Sequence, residues 1–224
     1  MLCQGPEFIQ SLGEHIFTET CKAAAINAKV PVALVVDHTF VTDENTIPAI
    51  LRDIALDGWS SFMLDGSLLP YEENVAYSKR LTDICKGAGV SSCAALGEVR
   101  RFFPQVMHYS GPFTEDFVVP PEIMTDPAQA KDFVEKTGIS TLAILIGQYV
   151  CSLWDGEKPP FKKSARLDFD CLDAICEEVD VPLILHGATH VCEDDLALAA
   201  KKCVAMIKVA VFKDFRQYLY NHNQ

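Results

Sequence analysis

Short apolar runs recur along the chain, each separated from the next by a stretch with helical spacing, and this alternation constrains the fold most. The runs are Val30–Asp37, Ser60–Asp65, Val90–Leu96, Thr141–Ile146, Val181–Leu185 and Met206–Val211. Each is too short for a buried helix and reads as a strand covered on both faces. The intervening patterns read as helices. Tyr71–Gly87 buries Val75, Leu81, Ile84 and Cys85, and Asp168–Val179 buries Leu172, Ile175, Cys176 and Val179. Glu193–Cys203 buries Leu196, Ala199, Ala200 and Cys203. A helix opening at Asp126-Pro127 presents Ala130, Phe133 and Val134 and stops at Gly138. Such β–α repeats imply right-handed crossovers and a parallel sheet. Met1–Gln4 reads as the tail of one more strand, followed by a helix from about Glu7 to Ala28. The expected fold is α/β, a TIM (β/α)8-type barrel in a single domain over residues 1–224. It is expected to be incomplete, with the first strand, apart from that tail, and the C-terminal helices missing.

Composition narrows the class of function. Apolar residues make up 49% of the chain, enough for a globular core. The formal net charge of −12 argues against a nucleic-acid partner, which requires a basic surface. It still allows a small phosphorylated ligand, because a local cationic site can sit in an acidic protein. The N-terminus carries no basic region and no long apolar stretch, so neither a signal peptide nor a membrane partner is expected. Nine cysteines occur without a CxxC pair. They read as reduced, mostly buried thiols of a cytoplasmic protein.

In a barrel of this type the chemistry sits at the carboxyl ends of the strands. Those ends carry Asp37-His38, Asp65-Gly66-Ser67, Ala95-Leu96-Gly97-Glu98, Gly147-Gln148-Tyr149-Val150-Cys151 and His186-Gly187-Ala188-Thr189-His190, with Lys213 past the last run. Two histidines and two aspartates at such positions suit a metal site beside a carboxylate acid/base. They equally suit histidines that cap strand ends by hydrogen bonds to backbone. Gly187, Ala188 and Thr189 offer N–H groups and a hydroxyl to a phosphate, and Lys213 adds positive charge. The alternative for Gly187 is a plain tight turn. Lys208 reads as an interior salt-bridging lysine, with a Schiff-base lysine as the alternative.

Several stretches, taken in order, resemble the class II, metal-dependent ketose-bisphosphate aldolases. They are VPVALVVDH (30–38), LDGWSSFMLDGSLLPYEENV (56–75), TDPAQAKDFVEKTGIS (125–140), LDFDCLDAI (167–175) and VPLILHGAT (181–189). The resemblance implies that Asp37 is the catalytic acid/base and that His38 and His186 are zinc ligands. It places Asp65 near a second or alternative metal position. Gly187, Ala188 and Thr189 match the loop that holds a substrate phosphate. The implied cofactor is Zn2+ and the implied substrate is a phosphorylated sugar. The implied reaction is reversible cleavage of fructose or tagatose 1,6-bisphosphate to dihydroxyacetone phosphate and an aldehyde, in a homodimer or homotetramer.

The same comparison shows departures. The family's Glu-Ala-Glu-Leu-Gly segment is Cys93-Ala94-Ala95-Leu96-Gly97, so Ala95 replaces a metal-associated glutamate. Its Gly-Thr-Ser-His-Gly is Gly147-Gln148-Tyr149-Val150-Cys151, so Val150 replaces a zinc histidine. Its Asn-x-Asp-Thr phosphate clamp is Ala210-Val211-Phe212-Lys213. A catalytic zinc ordinarily takes three protein ligands and an open position. The expectation is impaired aldolase activity unless Cys93, Cys151 or His190 supplies a ligand. The alternative is a non-catalytic relative that binds a phosphorylated metabolite or a protein partner.

Overall fold

The computed structural model describes residues 2–4, 13–41, 45, 47–48, 58–101, 110–111, 117–150 and 165–209. Contacts divide the chain into two units: Met1–Leu96 with Ala128–Ala143 and Glu178–Val181, and Gly97–Pro127 with Ile144–Glu177 and Pro182–Gln224.

The first unit is built on parallel strands. Its elements are β1 (Leu2–Gln4), α1 (Glu14–Asn27), β2 (Leu34–Phe40), β3 (Ser61–Asp65), α2 (Tyr71–Ala88) and β4 (Ser91–Leu96). Most of α3 (Pro127–Thr137) and of β5 (Thr141–Ile144) also belongs to it. Neighbours follow chain order, and the ladders from β1 through β4 are parallel, with Leu2 opposite Leu34, Val35 opposite Ser61 and Ser61 opposite Ser91. Leu34 and Val36 of β2 and Phe62 and Leu64 of β3 share one core with Trp59, Leu81 and Cys85. Burying side chains of this size contributes about 1.5–3 kcal/mol each.

Helix α2 shows why the pattern was readable. Val75, Leu81 and Cys85 are buried as expected, and Ile84 packs partly buried against the same core. Glu72 and Glu73 in its first turn and Lys86 in its last complement the helix dipole. The helix passes the expected stop at Gly87 and ends at Gly89, whose φ of 70° provides the left-handed cap. In α3 the buried face is Ala130, Phe133 and Thr137, while Val134 is only half-buried.

The second unit contains α4 (Phe169–Glu178, except its last residue), β6 (Leu183–Leu185), a 3-10 turn (Ala188–His190), α5 (Glu193–Ala199) and β7 (Val204–Ile207). Strands β6 and β7 pair in parallel. Leu172 and Ile175 of α4 are buried as expected, whereas Cys176 and Val179 are half-buried.

Three expectations change here. The apolar run at 141–146 leaves strand geometry after Ile144 although Leu145 and Ile146 are fully buried. Side chains take over their backbone groups: the Leu145 N–H donates to Thr125 Oγ1 at 2.9 Å, and the Ile146 N–H donates to Gln148 Oε1 at 2.9 Å. Helix α5 ends four residues early, leaving Ala200 exposed and Leu196 and Cys203 half-buried. Its buried side chains are Ala199 and Asp195, and the Asp195 carboxylate takes two bonds of 2.8 Å from Arg166 and one of 3.0 Å from the Leu167 N–H. The thiols are not all reduced: Cys176 and Cys203 are joined in a disulfide, while Cys21, Cys85 and Cys93 are buried free thiols.

Candidate active site

In the first unit the candidate residues come from a break in a ladder. Val36 pairs with Phe62, but the next pair is Thr39 with Leu64. Asp37 and His38 therefore face the single residue Met63, which is a β-bulge. His38 has φ 39°, the one positive value on a non-glycine among the described residues. Such conformations cost on the order of 1–3 kcal/mol and persist where surroundings hold them. The bulge also explains why β2 runs to Phe40, past the expected end at Asp37: after it, Thr39 and Phe40 resume pairing with β3.

The His38 ring is held by Asp65. Nδ1 lies 2.8 Å from Asp65 Oδ2, and Asp65 is only 4% exposed. The other oxygen, Oδ1, accepts from the Ser67 N–H at 3.2 Å and from the Ser67 hydroxyl at 2.6 Å. A neutral imidazole that donates from Nδ1 to a carboxylate carries its lone pair on Nε2, the arrangement that orients metal-binding histidines. Asp37 and His38 are both half-buried. Ala95, at the exit of β4, is buried and offers no side-chain donor atom. Cys93 lies within β4 and is buried, with Sγ 4.0 Å from the Ala94 carbonyl oxygen.

In the second unit His186 follows β6 directly and is 3% exposed. Gly187 has φ 68°, a conformation disfavoured for other residues, and a Cβ there would lie 3.0 Å from Val150 Cγ2. Val150 itself bridges to Arg101, and its N–H donates to the Arg100 carbonyl at 2.8 Å. Ala188 is buried, and its N–H donates to the Lys208 carbonyl at 3.2 Å. The sequence reading offered that N–H to a phosphate; the structure uses it to tie the turn to the end of β7. Thr189 is exposed. Lys208 is buried, and its own N–H donates to the Leu185 carbonyl at 2.8 Å. Lys213, Cys151, Ala210 and the side chain of His190 lie outside the described residues. Glu98, three residues past Ala95, pairs with Arg100 at 3.0 Å.

Sequence reasoning missed Asn74 and Arg101, both buried. Asn74 had a signal: asparagine is a weak helix former, and here it sits inside α2. Arg101 had none.

The model of the class-II fructose-bisphosphate aldolases matches residues 3–223, and the chain belongs to that family. Solved structures agree. The YdjI aldolase of Escherichia coli K12 is 25% identical, with a TM-score of 0.67 over 93% of this chain and 63% of that one. A structure assigned as a fructose-1,6-bisphosphate aldolase of Coccidioides immitis is 25% identical, with a TM-score of 0.72 over 92% of this chain and 65% of that one. The fructose-bisphosphate aldolase of Campylobacter jejuni shares the fold at 19% identity and a TM-score of 0.63, over 92% and 62%. The chain thus spans less than two thirds of the length of each. No described helix is long and apolar enough to cross a membrane.

Proposed function

We propose that the chain is a class II aldolase-like protein acting as one domain. Its reaction is metal-dependent, reversible aldol cleavage of fructose or tagatose 1,6-bisphosphate to dihydroxyacetone phosphate and an aldehyde, at a rate well below that of a complete site. The observation that carries this is the bulged Asp37-His38 pair with its Asp65 anchor, in a chain matched by the family from end to end. The resemblance assigns zinc to His38 and His186, whose neutral imidazoles are donors that suit that metal, and keeps Asp37 as the acid/base. Bound by these histidines, a metal would supply Lewis-acid polarisation of the substrate ketone. Asp37 takes the proton of the hydroxyl β to that ketone as the carbon–carbon bond breaks, and returns it in the reverse direction. Asp65 keeps the His38 ring oriented. By the same resemblance Gly187, Thr189 and Lys213 would hold the substrate phosphate, with Ala188 shaping the turn, since its N–H is taken by the Lys208 carbonyl. A phosphorylated sugar as partner, a cytoplasmic setting and a homodimer or homotetramer come with this reading.

Val150 and Ala95 favour a second reading, a non-catalytic relative that binds a phosphorylated metabolite or a protein partner. Both offer hydrocarbon where the resemblance puts a ligand. The test is cleavage of fructose 1,6-bisphosphate by purified protein with and without added zinc, with zinc content measured alongside. Zinc-dependent cleavage supports the aldolase; ligand binding without turnover supports the second reading.

A further inference from the structure

Asn74 stands 2% exposed inside α2, and no family role was read into it. Its amide is pinned at both ends. Nδ2 donates to the Ala95 carbonyl at 3.0 Å, and Oδ1 accepts from the Ser78 hydroxyl at 3.1 Å. Those two partners fix which way the amide points and prevent it from swinging aside. Gly66 rests against it so closely that a Cβ on Gly66 would run into Asn74 Oδ1 and Cγ. Gly66 in turn sits between Asp65 and Ser67, the carboxylate and its anchor, and its carbonyl accepts the Leu69 N–H at 3.0 Å to close the turn.

We propose that Asn74 is a positioning residue for the candidate metal centre: the pinned amide is the stop against which the Gly66 turn seats, and that seat holds the Asp65 carboxylate on Nδ1 of His38. The chain of contacts runs Ala95 carbonyl, Asn74, Gly66, Asp65, His38. Each link is a bond or a close approach of rigid groups, so a shift at Asn74 reaches the imidazole. The turn after β3 and the exit of β4 are thereby joined through one side chain. The backbone of Ala95 retains a task although its side chain offers no donor. The proposal rests on the aldolase reading only for what the oriented histidine is for; the orientation itself does not depend on it.

The test uses the full chain without metal at pH 8. Proton–nitrogen correlation spectra of the histidine rings, with His38 assigned through His38→Gln, report which ring nitrogen carries the proton. In the parent protein His38 is expected as the Nδ1–H form. Asn74→Ala is expected to move it to a mixture of both forms and to weaken zinc binding by about 10–100-fold, as loss of an orienting partner does. Gly66→Ala, which pushes the turn from the other side, is expected to do the same. Combining the two is expected to recover part of the Gly66→Ala effect, because the truncated side chain makes room for the new methyl. Folding is checked by circular dichroism. If Asn74→Ala does not fold, Gly66→Ala alone decides. A folded variant whose His38 signals match the parent overturns the proposal. Absence of zinc uptake by the parent overturns the metal reading and leaves the tautomer result standing.

Discussion

His38 Nδ1 lies 2.8 Å from Asp65 Oδ2, and Asp65 is held by Ser67 through its other oxygen. The resemblance placed Asp65 near a metal position. The contact with His38 adds a further task to test, fixing the tautomer and ring plane of the histidine that follows Asp37.

That task is measurable. Asp65→Asn keeps the shape but removes the charge that favours Nδ1–H. Zinc affinity should fall by about 10–100-fold in a chelator-competition titration. Ser67→Ala removes one hydroxyl donor to Oδ1 and should have a smaller effect. Equal affinity in Asp65→Asn and the parent would deny Asp65 any role at the metal.

Gly187 tests the second unit. Its φ of 68° and the 3.0 Å approach to Val150 Cγ2 both oppose a side chain. The left-handed conformation alone costs about 1–2 kcal/mol for a residue bearing a Cβ. Gly187→Ala should lose at least that much in urea unfolding. Adding Val150→Ala should restore part of the loss, and only part, because the Tyr149 carbonyl carbon also lies 3.3 Å from the new Cβ.

Much of this was legible in the sequence. The strands were found because parallel strands with both faces covered give unbroken apolar runs, and α2 because its apolar spacing matched one face. The Asp37-His38 pair was legible as a strand end, but not as a bulge: a register shift is a relation between two strands, and β2 alone carries no mark of it. The end of β5 was misplaced for a related reason. Leu145 and Ile146 are as apolar and buried as strand residues, and only Thr125 and Gln148 show that their backbone groups are satisfied elsewhere. Asp195 was missed because a helix pattern predicts apolar burial, and a carboxylate is buried there by Arg166, 29 residues away in sequence.

The cysteines make a chemical prediction. The disulfide between Cys176 and Cys203 closes a separation of 27 residues. Cross-links of that span stabilise by about 3–4 kcal/mol in the chain-entropy account. Non-reducing digestion should yield the two peptides joined, and Cys203→Ser should lower Tm to the value of the reduced parent. Cys171 should behave differently. Burial first, then the charges of Asp168 and Asp126, push its thiol up to about 11. At pH 8 only about one part in a thousand is then the reactive thiolate. Alkylation by iodoacetamide should be slow there and should accelerate as pH rises toward 11. Rapid labelling of Cys171 at pH 8 would contradict the burial seen here.

The last prediction concerns the replaced ligand. Removing even an outer-shell partner of a metal costs about 10–100-fold, and loss of a ligand itself should cost no less. Holding a substrate in reacting geometry is worth roughly 7–11 kcal/mol at best, and a weak metal site forfeits part of that. Asp37 remains able to move a proton, a contribution of about 10²–10⁴-fold in a complete site. With a weakly held metal the ketone is poorly polarised and the enediolate poorly stabilised, so Asp37→Ala should cost the parent less than that range. Val150→His changes this. The substitution adds an imidazole where the resemblance places one. Zinc affinity should tighten at least about tenfold. Cleavage of fructose 1,6-bisphosphate should rise, and Asp37→Ala in that background should now abolish the gain. Ordinary aldolase rates in the parent, lost on Asp37→Ala, would show that Val150 does not impair the site. Tight zinc binding in Val150→His without any gain in cleavage would favour the non-catalytic reading.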